Sequence, residues 1–304
     1  MKRHITKCFI SLCTLCMVVK LNAQDLEPRA YVRVPININL LGAGFSFSKG
    51  GVVTDPTIPL TDLKATLGVG TLSYLHSFSL FGLTAQTLAV LPYASGKASA
   101  LVNGQSQNAY ISGIGDMRFR ISTLLFGAPA ITIRDFAKTT PRTVLGTSLT
   151  IIAPTGQYFS DKLINVGSSR WAFKPELALS QPLGNKKWLL DLYAGVWFYT
   201  SNNSFYPGNT IRTQNPIGTF QGHISYNISP AAWAAFDVTY YGGGSTEQNG
   251  IPKDDKISNI RYGCTIALPT GKKGSLKIAF SDGAYVLAGA NFFTISVGWS
   301  FAWF

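Results

Sequence analysis

Residues 283–304 contain no Asp, Glu, Lys or Arg. That run is long enough to cross a bilayer as a helix, so its periodicity decides the fold. Phe293, Ile295, Val297, Trp299, Phe301 and Trp303 take every second position, with Thr294, Ser296, Gly298, Ser300 and Ala302 between them. A period of two puts every bulky residue on one face of a strand, whereas a helix would scatter them around all sides. The segment therefore reads as a strand with one bulky apolar face and one face of small residues. Residues 65–96 are also free of charge, but Gly68, Gly70, His76, Gln86 and Pro92 interrupt them, and they divide into two strands around a turn at 76–82.

The same alternation recurs along the chain. Met117, Phe119, Ile121 and Leu125 alternate with Asp116, Arg118, Arg120 and Ser122. Trp171, Phe173, Leu177 and Leu179 alternate with Lys174, Glu176 and Ser180. Leu190, Leu192, Val196 and Phe198 oppose Asp191, Tyr193, Trp197 and Tyr199. Similar strands fit 219–226, 234–241, 259–268 and 276–281, and weaker ones fit 37–48, 64–75, 83–92 and 143–153. The count with the last strand is about twelve. A soluble sandwich also alternates, with its polar face in water. Three features favour a membrane barrel instead. Many strands run about ten residues, enough to cross a bilayer at a tilt. The count is even, and long connections (49–63, 93–107, 154–170, 200–216, 242–256) alternate with short ones. The exception is 126–142, long where a short turn is due, which reads as a small helix or turn on the periplasmic side.

Composition agrees. The chain is 46% hydrophobic and only 13% charged, against about 25% charged in a typical soluble domain. Its 30 glycines do not suit a bundle of membrane helices. Lys2, Arg3 and Lys7 precede an apolar run from Cys8 to Val19, and Leu21-Asn22-Ala23 ends in a small residue. Residues 1–23 thus read as a secretory signal cleaved near Ala23. The expected architecture is an all-β, transmembrane antiparallel up-and-down β-barrel over 37–304, in the outer membrane of a Gram-negative-type bacterium. Residues 24–36, with Arg29 and Arg33, form an N-terminal segment and a candidate lumenal plug.

Cleavage leaves Cys264 as the sole cysteine and removes Lys2, Arg3, Lys7 and Lys20, lowering the formal charge from +12 to +8. The longest basic runs are pairs, Lys186-Lys187 and Lys272-Lys273, which do not make a nucleic-acid footprint. The expected partners are outer-membrane lipid, small solutes and the barrel-insertion machinery, with no nucleic acid. The insertion machinery would read the aromatic end Trp299, Phe301, Trp303 and Phe304, although the alternation stops at Trp303, one residue early.

A set of short pieces, in order, resembles a known family. They include Glu27-Pro28-Arg29-Ala30-Tyr31, Lys49-Gly50-Gly51-Val52 with Asp55-Pro56, Leu91-Pro92-Tyr93 and Gly113-Ile114-Gly115-Asp116 with Arg118. They continue with Ala153-Pro154-Thr155-Gly156-Gln157-Tyr158, Lys174-Pro175-Glu176, Gln221-Gly222-His223 and Asp237-Val238-Thr239-Tyr240-Tyr241. The resemblance is to the outer-membrane barrels named after the phenol meta-cleavage degradation pathway, and it covers nearly the whole mature chain. It implies a transporter-type barrel. The name reflects a pathway association and assigns no substrate.

If the bulky face meets lipid, the other face lines the lumen. The expected pore-lining charges are Asp116, Arg118, Arg120, Lys174, Glu176, Asp191, Asp237, Arg261 and Lys277, joined by Tyr193, Trp197 and His223. Lys174 with Glu176, and Asp116 with Arg118, lie two apart on one face and are expected to pair. Such a lumen suits either charge-neutralising salt bridges or a constriction that selects small organic anions, aromatic carboxylates among them. The alternative is a closed structural, ligand-binding or adhesin-like barrel. An enzyme would need a nucleophile and a base. His223 with Ser225 is the one candidate pair, and their Cα atoms would stand about 7 Å apart, so no catalytic residue is assigned. No metal or cofactor site is expected, because no His or Cys pair of the mature chain has ligand spacing.

Overall fold

The computed structural model describes residues 26–53, 60–102, 105–162, 164–184 and 187–304. The expected signal segment, with Gln24 and Asp25, lies outside the described residues. Thirteen strands form one antiparallel sheet: β1 (Asn39–Val53), β2 (Leu60–Leu80), β3 (Leu83–Val102), β4 (Gln105–Ile114), β5 (Arg118–Phe126), β6 (Val144–Ile152), β7 (Ala172–Leu183), β8 (Trp188–Tyr199), β11 (Ile217–Asn227), β12 (Trp233–Gly243), β15 (Ile257–Thr270), β16 (Gly274–Val286) and β17 (Gly289–Trp303). Four short strands, β9 (Asn202–Phe205), β10 (Thr210–Gln214), β13 (Thr246–Gln248) and β14 (Ile251–Pro252), make a separate small sheet.

The large sheet closes on itself. β17 pairs with β1 from Asn39↔Trp303 to Val53↔Gly289, and β2 pairs with both β1 and β3. β4 and β5 are two halves of one stave: the outer half of β3 pairs with β4, and its inner half with β5. The ring therefore has twelve staves. Closure satisfies the backbone groups of every strand that faces lipid.

The stave breaks at 115–117 for a local reason. Pro92 of β3 has no N–H to offer a neighbour, and its carbonyl instead accepts the Gly115 N–H at 2.8 Å. A Cβ on Gly115 would stand 2.9 Å from Pro92 Cγ, so the close approach requires glycine. β6 reaches only to the level of Arg118, paired with Ile152. Beside the break, the loop after β6 takes over: Gln157 N–H donates to the Ile114 carbonyl at 2.8 Å.

The alternation maps onto the wall as expected. Phe293, Ile295, Val297, Trp299, Phe301 and Trp303 are 37–46% exposed and point outward, as do Phe45, Leu72, Phe119, Leu177, Phe198, Phe220 and Phe236. A belt of large apolar side chains around a closed barrel has only lipid to cover it, so the chain is an outer-membrane barrel. Cys264 lies on the outward face.

Two expectations need correction. Segments expected as long loops at 49–63 and 93–107 are mostly strand, because β2 and β3 run 21 and 20 residues. Polar and small residues continue the two-residue period there, and the inward Ala98 and Ala100 pack with Val52, Leu67 and Phe292. The turn expected at 76–82 is only Phe81-Gly82, which leaves His76 in β2. The loops at 200–216 and 242–256 carry the small sheet, with Arg212↔Gln248 and Gln214↔Thr246 in register. The long connection 126–142 holds helix α1 (Ile133–Phe136).

Candidate functional site

The lumen contains a segment of the chain itself. Residues 26–38 enter from the end where β1 begins and reach across the barrel interior. Ile36 N–H donates to the Ile131 carbonyl and Asn37 N–H to the Ser77 carbonyl, which ties the segment to the α1 connection and to β2. Arg33 donates to the Thr140 carbonyl at 2.8 Å and stacks over Phe136.

Further in, the segment is anchored to several strands. Glu27 forms an ion pair with Arg120 of β5 and lies 3.8 Å from Arg118. Burial raises the Glu27 carboxyl, but Arg120 and Arg118, with Lys174 and Lys277 further off, outweigh it and hold the group at about 2. Arg29 has left-handed backbone (φ 67), which turns two consecutive amides toward the wall. Its own N–H donates to Asp191 Oδ2 at 3.2 Å, and that of Ala30 donates to the Tyr193 hydroxyl at 3.2 Å. The Arg29 side chain spans β11 and β12: Nε donates to Ser225 Oγ at 2.9 Å, Nη2 to Asn227 Oδ1 at 2.7 Å, and the guanidinium lies over Trp233.

Tyr31 is the deepest anchor and is fully buried. Its hydroxyl bonds with Ser148 Oγ at 2.6 Å and donates to Glu176 Oε1 at 2.8 Å. Its ring meets Tyr193 edge-on, with centroids 4.9 Å apart. Burial and the Glu176 carboxylate both push the Tyr31 phenol up, so it stays a donor. Gly146 of β6 makes room, since a Cβ there would lie 2.7 Å from Tyr31 Cδ1.

The inward faces hold most of the expected residues. Arg118, Arg120, Lys174, Glu176, Asp191, Tyr193, Trp197, His223, Asp237, Arg261 and Lys277 all point to the interior of the ring. Lys174 and Glu176 pair as expected, at 2.9 Å. Asp116 departs from expectation. It sits at the break between β4 and β5, and its carboxylate accepts from Gly156 N–H, Ser168 N–H and Ser168 Oγ at 2.5–2.8 Å. It pins the outer loop instead of pairing with Arg118, because the interrupted strand frees its side chain from the alternation.

His223 and Ser225 are not brought together. His223 Nδ1 bonds with Asp237 Oδ1 at 2.7 Å, and Thr265 Oγ1 donates to Asp237 Oδ2 at 2.8 Å. A carboxylate only accepts, so Nδ1 carries a proton toward Asp237. The sequence reading missed Glu27 and Tyr31 as anchors. The signal was their place beside Arg29, but their partners lie on strands more than 90 residues away. Among the described residues, no group of three His, Cys, Asp or Glu side chains is arranged to hold a metal.

The fold is shared with solved structures. The COG4313 outer membrane channel from Pseudomonas putida F1 is 22% identical, with TM-score 0.78, covering 92% of this chain and 100% of that one. The beta domain of the Bordetella autotransporter BrkA is 12% identical, with TM-score 0.54, covering 88% and 100%. The transport unit of the autotransporter AIDA-I from Escherichia coli is 10% identical, with TM-score 0.50, covering 93% of each. No curated protein matches the chain. The profile of the family described as "Putative MetA-pathway of phenol degradation" matches residues 43–297, from β1 to β17, and the chain belongs to that family.

Proposed function

We propose that this barrel passes small organic acids, aromatic carboxylates among them, across the outer membrane by diffusion, and that residues 24–36 act as its lumenal plug. It is read as a transport barrel and not as an enzyme. The observation that carries the proposal is the charge facing the interior. Arg29, Arg118, Arg120, Lys174, Arg261 and Lys277 stand against Glu27, Glu176, Asp191 and Asp237. A surplus of fixed cations in a narrow lumen favours anions over cations. A twelve-stave barrel is narrow enough for one docked segment to obstruct it.

Planar-bilayer recording tests both parts. The expected result is anion selectivity, with higher conductance after deletion of residues 24–35. Cation selectivity, or a conductance unchanged by the deletion, counts against the proposal. A second reading, a closed structural or ligand-binding barrel, is favoured by the number of strands to which the segment is tied. Solute flux into liposomes separates the two. The aromatic end at Trp303 and Phe304 supports recognition by the barrel-insertion machinery, tested by deleting those two residues and following membrane assembly.

A further inference from the structure

Three adjacent strands carry a row of buried polar atoms that the plug contacts do not use. Arg261 of β15 is the cross-strand neighbour of Thr239 on β12, and Thr239 is the neighbour of Gln221 on β11. All three face the interior and are at most 3% exposed. His223 is the next inward residue below Gln221. Among the described residues, no group bonds with Arg261 Nε or Nη1, Thr239 Oγ1, Gln221 Oε1 or His223 Nε2. Arg261 Nη2 is satisfied, donating to the Phe292 carbonyl at 2.6 Å and to Ser281 Oγ at 3.2 Å. No carboxylate of a described residue lies within ion-pair distance of its guanidinium.

A guanidinium is always charged, and a buried charge with neither a direct ion pair nor full hydrogen bonding is costly; Asp282 of β16 attracts Arg261 only from beyond ion-pair distance. Buried polar atoms are nearly always paired, so unpaired ones call for an occupant. The four groups differ in kind along the row. Arg261 supplies N–H donors and a positive charge, and the Thr239 hydroxyl can donate beside it. Gln221 Oε1 is an acceptor, and so is His223 Nε2 in the tautomer that carries its one proton on Nδ1. The row spans two inter-strand steps, roughly 10 Å. It therefore suits a ligand with a carboxylate at one end and a hydroxyl at the other. Its position also fits a stop on the way through: Leu26 of the N-terminal segment packs at Gly263, the next inward position below Arg261.

We propose that Arg261, Thr239, Gln221 and His223 form a binding site for a small hydroxy-carboxylate directly above the N-terminal segment. Arg261 and Thr239 hold the carboxylate, and Gln221 and His223 accept from the hydroxyl. This deepens the reading of the lumen as a path for organic acids, and rests on it.

The test is equilibrium binding to the full mature barrel in detergent, by calorimetry, with three probes: 4-hydroxybenzoate, benzoate and phenol. Binding is read without transport, and flux of the same probes into liposomes is measured separately, so a failed site and a failed channel are distinguishable. The expected result is that 4-hydroxybenzoate binds at least tenfold more tightly than either half-ligand. Arg261→Gln should weaken 4-hydroxybenzoate and benzoate at least tenfold, while Gln221→Leu should bring the ratio of the two toward one. Heat-modifiable migration confirms that each variant is folded. The proposal is overturned if the wild type binds none of the probes, which would leave the row to water. It is overturned equally if Arg261→Gln binds as the wild type does.

Discussion

Replacing Tyr31 by Phe should loosen the N-terminal segment without disturbing the barrel wall. The substitution keeps the ring against Tyr193 and removes only the hydroxyl, which bonds with Ser148 and donates to Glu176. A hydrogen bond to a charged group is worth about 1.5–3 kcal/mol. Glu176 keeps its ion pair with Lys174, so no carboxylate is stranded and the upper end of that range is not expected to be exceeded. At 1.4 kcal/mol per decade, opening of the segment should become about tenfold to 150-fold more frequent. Hydrogen exchange reads this directly, because the Ala30 amide donates to the Tyr193 hydroxyl only while the segment is docked. Protection of the Arg29 and Ala30 amides should fall by that factor, and wall amides in β8 and β11 should not change. Tyr31→Ala, which also empties a buried aromatic site, should lower protection further, by about 3–5 kcal/mol in total. If both variants migrate as folded barrels and protect the Ala30 amide as the wild type does, Tyr31 does not hold the segment and the reasoning fails.

Acid should weaken the same docking through Glu27. Its carboxyl falls from 4.5 in the free segment to about 2 when docked, so its contribution is complete above about pH 4.5 and is lost as the pH drops through about 2. Protection of the Ala30 amide is expected to be flat from neutral pH to about 5 and to decline below it, and Glu27→Gln should remove that decline. On the outer face, Phe236 points to lipid beside Cys264 and Ile224. Phe236→Arg should destabilise the barrel by about 2–4 kcal/mol if the site lies near the bilayer midplane, measured by urea unfolding in lipid vesicles with Phe236→Leu as the reference. A value near zero would place that position outside the apolar belt.

Much of the barrel could be read before any coordinates. The inward placement of Asp191, Tyr193 and Trp197 and the outward placement of Phe293 through Trp303 were both legible, because each follows from a local period of two. The Lys174–Glu176 pair was legible for the same reason, two residues apart on one face. Asp116 was misread because alternation presumes an unbroken strand, and the break depends on where Pro92 of another strand comes to lie. The extended β2–β3 ribbon was missed because small residues such as Ala98 and Ser99 look like loop until Phe292 and Val52 pack against them. The row from Arg261 to Gln221 was invisible as a unit: its members lie 18 and 22 residues apart on successive strands, and only the register aligns them.

Sequence alone thus determined the class of molecule, the side of the wall each strand residue faces and the approximate number of staves. Those properties follow from pleat geometry, which acts between neighbours in the chain. Tertiary structure decided what fills the ring. The partners of Glu27, Arg29 and Tyr31 come from six different strands, and strands that far apart in sequence meet across a lumen only after the sheet has closed.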